Sequence, residues 1–299
     1  MANWVVLGAS GFVGRSISDA AESAGHRVYK LPAPRLLADP LWPAEMVVES
    51  MAGFKEEIEN MATRFSDQDV VVNAAGLARP GALESSDLYG ANAALPIVVL
   101  LAARMAGVSR FIHISSAAVQ GRRRELDDTW EQQPFSPYSR SKALAETSLR
   151  LLFGDPDQRT DVRIVRATSI QDETRGTTRS LVRFARSPFA SVAAPGDAPS
   201  PVSSMNGLAK FVLAIGMDPV RASKVSVQPW EGLTVRDVVI EFGMQEPLRL
   251  PPSLCKFVVE TGYFFGRLGF PGIESSVRRA EVLWFGQSIR PEGCKSDHD

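Results

Sequence analysis

The chain has 299 residues, 44% of them hydrophobic and 22% charged, with a formal net charge of -1. That length supports one large domain, or one domain with a smaller appendage, and the near-zero charge excludes bulk electrostatic binding to nucleic acid. Cys255 and Cys294 are too few for a disulfide framework, no apolar run reaches transmembrane length and the start lacks the basic leader of a signal peptide, so a cytoplasmic enzyme or binding protein is expected.

"NWVVLG" (Asn3 to Gly8) is a short β-branched run ending in glycine and reads as a buried parallel strand. "FVGRSISDAAESAG" reads as a helix stopped by Gly25, and "HRVYKL" (His26 to Leu31) as a second strand. A loop with Pro32, Pro34, Pro40 and Pro43 follows, then a helix in "FKEEIENMATRF" and a buried strand in "DVVVNAAG" (Asp69 to Gly76). "DLYGANAALPIVVLLAARMAG" is helical, with a kink or a late start at Pro96. "SRFIHISSAA" (Ser109 to Ala118) is a strand. A polar loop leads from it into a helix that begins at "PYSRSK" and runs without Gly or Pro to Gly154. "DVRIVRATS" (Asp161 to Ser169) is one more strand. The steady alternation argues for a parallel sheet covered by helices on both faces. Past about Gln171 the rhythm weakens into short helices, proline-rich loops and a strand-like "KVSVQP" (Lys224 to Pro229), which reads as a smaller lid over the carboxyl edge of the sheet. From Arg290 onward the chain reads as a polar, frayed tail.

"LGASGFVGR" sets Gly8, Gly11 and Gly14 between the first strand and the first helix. Glycines at this spacing let the backbone turn tightly and approach a pyrophosphate seated on the helix N-terminus, so a dinucleotide is the expected ligand. An NAD-selective site usually carries an acidic residue at the end of the second strand. Here that place reads "YKLPAPR", with Leu31 and Pro32 where the acid would be. Lys30 and Arg35 are nearby cations that would suit a 2′-phosphate, or else form a solvated basic loop. The cofactor is therefore NAD or NADP, with a lean to NADP. Downstream, Tyr138 and Lys142 are four residues apart, one helical turn, and project side by side.

These pieces together resemble the extended short-chain dehydrogenase/reductases, the NAD(P)-dependent epimerase/dehydratase group that acts mostly on nucleotide sugars. "GASGFVG" resembles the cofactor turn of the family, which brings in Gly8, Ser10, Gly11, Phe12, Val13 and Gly14. "NAAG" resembles the segment that lines the cofactor, with Ala74, Ala75 and Gly76, and Asn92 falls where the next helix often carries an asparagine. "FIHISSAAVQG" resembles the strand bearing the catalytic Ser or Thr, here Ser116, and "YSRSKALAE" resembles the YxxxK signature, with Tyr138 and Lys142. The resemblance spans Val5 to about Arg166 and implies a Rossmann-type fold. It also implies that Tyr138 transfers a proton, Lys142 lowers the tyrosine pKa and binds the nicotinamide ribose, and Ser116 bonds the substrate oxygen. Dimerisation through helices of the Rossmann domain is a further implication.

The sequence departs from the family in its substrate half. Ala117 and Ala118 stand where the 4,6-dehydratases carry an acidic pair, which argues against that elimination. Gln120 replaces the tyrosine of "VYG", and Thr168, Ser169 and Gln171 follow Arg166 in place of the usual Asn and Gly. "RRR" at Arg122 to Arg124, with Arg278 and Arg279, would either close on substrate phosphates or form a solvated face. The aromatic stretch from Phe257 to Gly272 reads as lid core, and the scattered histidines His26, His113 and His298 form no metal site.

The expectation is an α/β, Rossmann-type, doubly wound parallel sheet over residues 1–170, with a small C-terminal substrate lid over 171–289 and a tail over 290–299. The expected function is NAD(P)-dependent hydride transfer at a secondary alcohol or ketone of a nucleotide-linked sugar, by an epimerase or reductase. The alternatives are an NADPH-dependent ketoreductase acting on a non-sugar small molecule and a non-catalytic dinucleotide sensor or scaffold.

Overall fold

The computed structural model describes residues 1–78, 83–153, 159–171, 176–218, 223–267 and 273–290. The helix stop expected at Gly154, nearly all of the expected tail, Cys294, His298 and the last five residues of the aromatic stretch lie outside the described residues.

The chain divides into two compact units. The first comprises Met1–Val119, Ser136–Ala167 and Met205–Gln228, the second Gln120–Phe135, Thr168–Ser204 and Pro229–Asp299. In chain order the elements are β1 (Asn3–Leu7), α1 (Phe12–Ser23), β2 (Arg27–Leu31), α2 (Ala44–Glu49), α3 (Lys55–Arg64), β3 (Val70–Asn73), α4 (Ser86–Tyr89), α5 (Leu95–Met105), β4 (Arg110–Ser116), β5 (Glu125–Leu126), α6 (Pro137–Leu151) and β6 (Asp161–Ala167). They continue with β7 (Ser169–Gln171), α7 (Gly176–Ala185), β8 (Ser191–Ala193), β9 (Val202–Ser204), α8 (Met205–Met217), β10 (Val225–Val227), α9 (Val235–Gly243), β11 (Leu248–Leu250), α10 (Pro252–Arg267), α11 (Ile273–Phe285) and β12 (Ser288–Ile289).

The first unit is a six-stranded parallel sheet in the order β10-β6-β4-β3-β1-β2, a Rossmann-type arrangement. β1, β3 and β4 are near-continuous buried runs because helices cover both faces. The chain winds from β1 out to β2 on one side and through β3 to β10 on the other, so the carboxyl ends of β1 and β3 flank the crevice where such sheets bind ligands. Helices α1 and α8 pack together on one face, and α3, α5 and α6 form a packed row on the other.

Two expectations are corrected here. "KVSVQP" was assigned to the lid, but β10 pairs in parallel with β6 from Val225↔Ile164 to Val227↔Arg166 and extends the main sheet. The boundary at residue 170 therefore does not match the observed partition, because α8 is the crossover that returns the chain to the sheet. The late start expected at Pro96 is present, within an apolar helical stretch from Ser86 to Met105. Gly90–Ala94 forms a π-helical turn, after which α5 restarts with proline in its first turn, where the missing N–H costs nothing. By length and composition this helix could cross a membrane, contrary to the sequence reading, but 78% of its apolar window is buried inside the protein.

The second unit holds three two-stranded parallel pairs, β11-β8, β12-β5 and β7-β9. Its core joins Ala185, Ala190, Val192, Val235 and Val239. Only one face of α10 is core: Cys255, Val259 and Tyr263 are buried, whereas Leu254, Phe257, Val258, Phe264 and Phe265 are exposed. This corrects the reading of the aromatic stretch as lid core throughout.

Candidate active site

The glycine turn leaves β1 at Leu7. Gly8 has φ +79, a conformation that strains any residue with a side chain, and the backbone N–H of Gly11 donates to the Gly8 carbonyl at 2.9 Å. A Cβ on Gly14 would stand 2.3 Å from that same carbonyl oxygen, so the third glycine lets α1 begin directly over the turn. No side chain caps the N-terminus of α1, and Ser10, Gly11 and Phe12 are exposed while Val13 is half-buried. The result is a cradle of open backbone N–H groups at a helix N-terminus, the chemistry that suits a pyrophosphate.

The "NAAG" segment lies against this turn. A Cβ on Gly8 would come within 2.7 Å of the Ala75 Cα and backbone N, and the Ala74 N–H donates to the Leu7 carbonyl at 3.1 Å. Asn73, the last residue of β3, accepts the Ala75 N–H at 3.2 Å through Oδ1, and its Nδ2 lies 3.4 Å from His113 Nδ1. An amide nitrogen can only donate, so Nδ1 is the acceptor and the His113 proton resides on Nε2. Nε2 is buried and has no hydrogen-bond partner among the described residues. Burial and the neighbouring Lys142 charge hold the pKa of His113 well below 6.5 and keep the ring neutral.

Asn92 sits in the π-helical turn and is fully buried. Its Oδ1 accepts the Leu77 N–H at 2.8 Å, and its Nδ2 donates to the Leu77 carbonyl at 2.9 Å and to Ser141 Oγ at 3.0 Å. It thus ties the loop after Gly76 to α6. Gly76 is exposed, but a Cβ there would lie 2.8 Å from Asn92 Oδ1 and 3.3 Å from Lys142 Nζ.

Helix α6 begins in a capping box between Ser136 and Ser139, with Pro137 in its first turn. This fixes Tyr138, which is half-buried, one turn before Lys142. Lys142 is 4% exposed, and its Nζ donates to the Ile114 carbonyl of β4 at 3.0 Å. Burial lowers its pKa to about 8, while the Glu146 carboxylate acts in the opposite direction. Ser116, the last residue of β4, is half-buried, and its Oγ accepts the Ala118 N–H at 3.2 Å. The lysine–carbonyl bond to Ile114 brings the start of α6 to the end of the strand that carries Ser116.

At the end of β2, Lys30 pairs with Glu22 at 2.9 Å and lies 3.9 Å from Asp19, so it is turned onto α1, whereas Arg35 is exposed. Beside it a cavity of about 370 Å³ is lined by Leu31, Pro32, Ala33 and Pro34 with Glu57, Asn60, Met61 and Arg64. In the second unit, Arg122 pairs with Glu281 at 2.9 Å and stacks 3.8 Å above the Tyr263 ring. Arg123 pairs with Asp127 and Glu131, both at 2.7 Å, and Arg278 with Glu281 at 2.9 Å. Gln120 is fully buried and donates to Asp127 at 2.7 Å.

The sequence reading missed Asn73 as an anchor, the partnership of Asn92 with Ser141, and Glu146. Glu146 is fully buried against Arg166 and Ser115. Its signal was available: a carboxylate one turn beyond Lys142 on a helix face otherwise built of small and apolar residues.

The model of the NAD dependent epimerase/dehydratase family matches residues 4–170. A 4-hydroxy-2-methyl-3-oxo-4-farnesyl-3,4-dihydroquinoline-1-oxide ketoreductase of Stigmatella aurantiaca is 30% identical over 146 residues, 47% of this chain and 43% of that protein. The match thus spans less than half the length of that curated relative. Among solved structures, MoeE5 in complex with UDP-glucuronic acid and NAD is similar with a TM-score of 0.61 and 18% identity, over 97% of this chain and 94% of that one. A UDP-glucuronic acid 4-epimerase from Bacillus cereus, in complex with UDP-glucuronic acid and NAD, is similar with a TM-score of 0.58 and 16% identity, over 83% and 85%. At these identities the two structures establish the shared fold.

Proposed function

Because the chain belongs to the NAD-dependent epimerase/dehydratase family, we propose that it is an NAD(P)-dependent oxidoreductase that interconverts a secondary alcohol and a ketone at Ser116, Tyr138 and Lys142. The observation that carries this reading is the placement of Lys142: a buried ammonium, held by Ile114 and bordered by Gly76, one turn below Tyr138.

The residues of the first unit fit a dinucleotide. The cradle of Gly8, Gly11 and Gly14 would hold the pyrophosphate, Ala74 to Gly76 and Asn92 would line the nicotinamide half, and the cavity beside Leu31 would take the adenosine. Bound as NADPH or NADH, that group supplies the hydride that forms the new C–H bond at the carbonyl carbon. The Tyr138 hydroxyl gives its proton to the carbonyl oxygen as the C=O double bond becomes a single bond. The Ser116 hydroxyl donates a hydrogen bond to the same oxygen and orients it. The Lys142 ammonium favours the phenolate that Tyr138 becomes and would bind the ribose hydroxyls of the dinucleotide.

Two observations favour a ketoreductase over an epimerase. No acid stands at the end of β2, where Leu31 and Pro32 lie, which suits NADP(H) and a cofactor that exchanges each turnover. Arg122, Arg123 and Arg278 are engaged in internal ion pairs, which disfavours their use on a substrate diphosphate. The sequence match to a ketoreductase points the same way. A nucleotide-linked sugar is the second reading, favoured by the near full-length likeness to MoeE5 bound to UDP-glucuronic acid.

The test is a turnover screen of ketones and keto sugars, followed by NAD(P)H absorbance, with Tyr138→Phe as the control. Tyr138→Phe should retain dinucleotide binding and lose turnover; retained turnover overturns the assignment, and binding without turnover of any ketone in the wild type favours a sensor or scaffold. Arg35→Ala should weaken NADPH binding and leave NADH binding unchanged, and equal effects on the two would remove Arg35 from the site.

A further inference from the structure

Among the described residues, the groups around Lys142 other than Glu146 carry no negative charge in the resting protein. On β4, His113 is neutral and Ile114 offers only a carbonyl; Asn92 and Gly76 are uncharged; Tyr138 and Ser141 lie on its own helix. The exception is Glu146, one turn further along α6 and fully buried. Its Oε1 accepts the Ser115 hydroxyl at 2.6 Å and Arg166 Nε at 3.2 Å, and its Oε2 accepts Arg166 Nη2 at 2.7 Å. A carboxylate held on both oxygens from β4 and β6 cannot rotate away or exchange its partner for water.

We propose that Glu146, clamped by Ser115 and Arg166, is the positioning residue that keeps Lys142 charged within the buried site. A strong buried ion pair is not in itself evidence of stabilisation, since a well-packed neutral pair often serves the fold equally well. Its placement one turn from a buried ammonium gives the pair a second role. Arg166 and Ser115 hold the carboxylate in place, and the carboxylate offsets part of the desolvation that drives the Lys142 proton off. Without Glu146, the buried region holds two cations, Lys142 and Arg166, and no anion between them. The lysine would then be neutral in the range where a charged one is needed to favour the Tyr138 phenolate and bind the ribose. The inference rests on the assignment of Lys142 to the catalytic site.

The experiment is a pH titration of ¹³C-labelled lysine by NMR, with the Lys142 Cε signal assigned by Lys142→Met, in wild type, Glu146→Gln and the double variant Glu146→Gln/Arg166→Met. The double variant removes both buried charges together, so it leaves no unpaired buried arginine and keeps the test valid even if Glu146→Gln does not fold. The wild-type midpoint should lie near 8 and that of Glu146→Gln below it, with the double variant, which also loses the Arg166 charge, lowered by less. Dinucleotide affinity, measured alongside, should fall near neutral pH in the variants and recover on acidification, which a merely structural loss would not do. An unchanged midpoint in folded variants overturns the proposal. The NMR readout needs neither substrate nor turnover, so it stands apart from the catalytic assignment: turnover by Tyr138→Phe would sink that assignment and leave the electrostatic result intact.

Discussion

Gly76→Ala tests whether the loop after β3 and Lys142 border the dinucleotide. The backbone of Gly76 lies outside the left-handed region, so alanine adds no conformational strain, only a methyl group. That methyl carbon would lie 2.8 Å from Asn92 Oδ1 and 3.3 Å from Lys142 Nζ. Reaching ordinary contact distance requires a movement of about 0.5 Å. Asn92 cannot make it freely, because its amide is pinned to Leu77 on both sides and to Ser141, at 2.8 to 3.0 Å. Lys142 is likewise held on Ile114. One or two of these hydrogen bonds must weaken, each at about 0.5–1.5 kcal/mol. A total of about 1–2 kcal/mol corresponds to a roughly 5- to 30-fold loss of dinucleotide affinity if the distortion is relieved in the free protein and resisted in the bound one. Titration of NADH and NADPH by calorimetry measures the loss, and a melting curve checks that the fold survives, with Tm falling by about 2–4 °C per kcal/mol. Unchanged affinity for both dinucleotides in a folded Gly76→Ala protein refutes the placement of this loop and of Lys142 beside the ligand.

Two further perturbations separate the site from the scaffold. His113 is held neutral in the folded state by burial and by Lys142, with a pKa well below 6.5, whereas the unfolded chain protonates it near that value. The unfolded state therefore binds the extra proton, and stability should fall as pH drops below about 6.5, by up to about 1.4 kcal/mol per pH unit. His113→Gln should flatten that part of the acid limb in urea midpoints compared at about pH 5 and pH 7; an identical pH dependence assigns the acid limb to other groups. Gly216→Ala acts on the packing of α8 against β1: its Cβ would stand 2.1 Å from Cη2 of the fully buried Trp4. Overpacking there should cost about 1–3 kcal/mol of stability and leave the dinucleotide affinity of the folded fraction unchanged, so a weakened affinity would show that the α8 packing reaches the cradle.

What the sequence disclosed, and what it hid, follows the range of the interactions involved. β1 and β3, and β4 over Phe111 to Ile114, were legible because a strand buried on both faces writes itself as a near-continuous apolar run. β10 was legible as a strand but its place was not, because three residues, Val225 to Val227, carry no sign of which sheet they join, and that is set by pairing with the distant β6. The glycine turn and the Tyr138–Lys142 pair were legible for a complementary reason: their geometry is made within one turn or one helical step, so spacing alone encodes it. The supports of the site are made over long separations. Asn92 meets Ser141 across 49 residues, Asn73 meets His113 across 40, and Glu146 meets Ser115 across 31 and Arg166 across 20. The π-helical turn that aims Asn92 is equally silent, since no residue type specifies it. Lys30 shows the same limit from the other side. Its position near the end of β2 suggested a phosphate ligand, yet the turn of α1 behind it carries Glu22, and the lysine pairs there at 2.9 Å. A motif thus names the groups proposed to touch the ligand, while the groups that hold them in place come from strands and helices remote in sequence. For Lys142 that division has a chemical consequence: Glu146, the residue proposed to keep it charged, is clamped by Arg166, which sits on β6 and has no place in the signature.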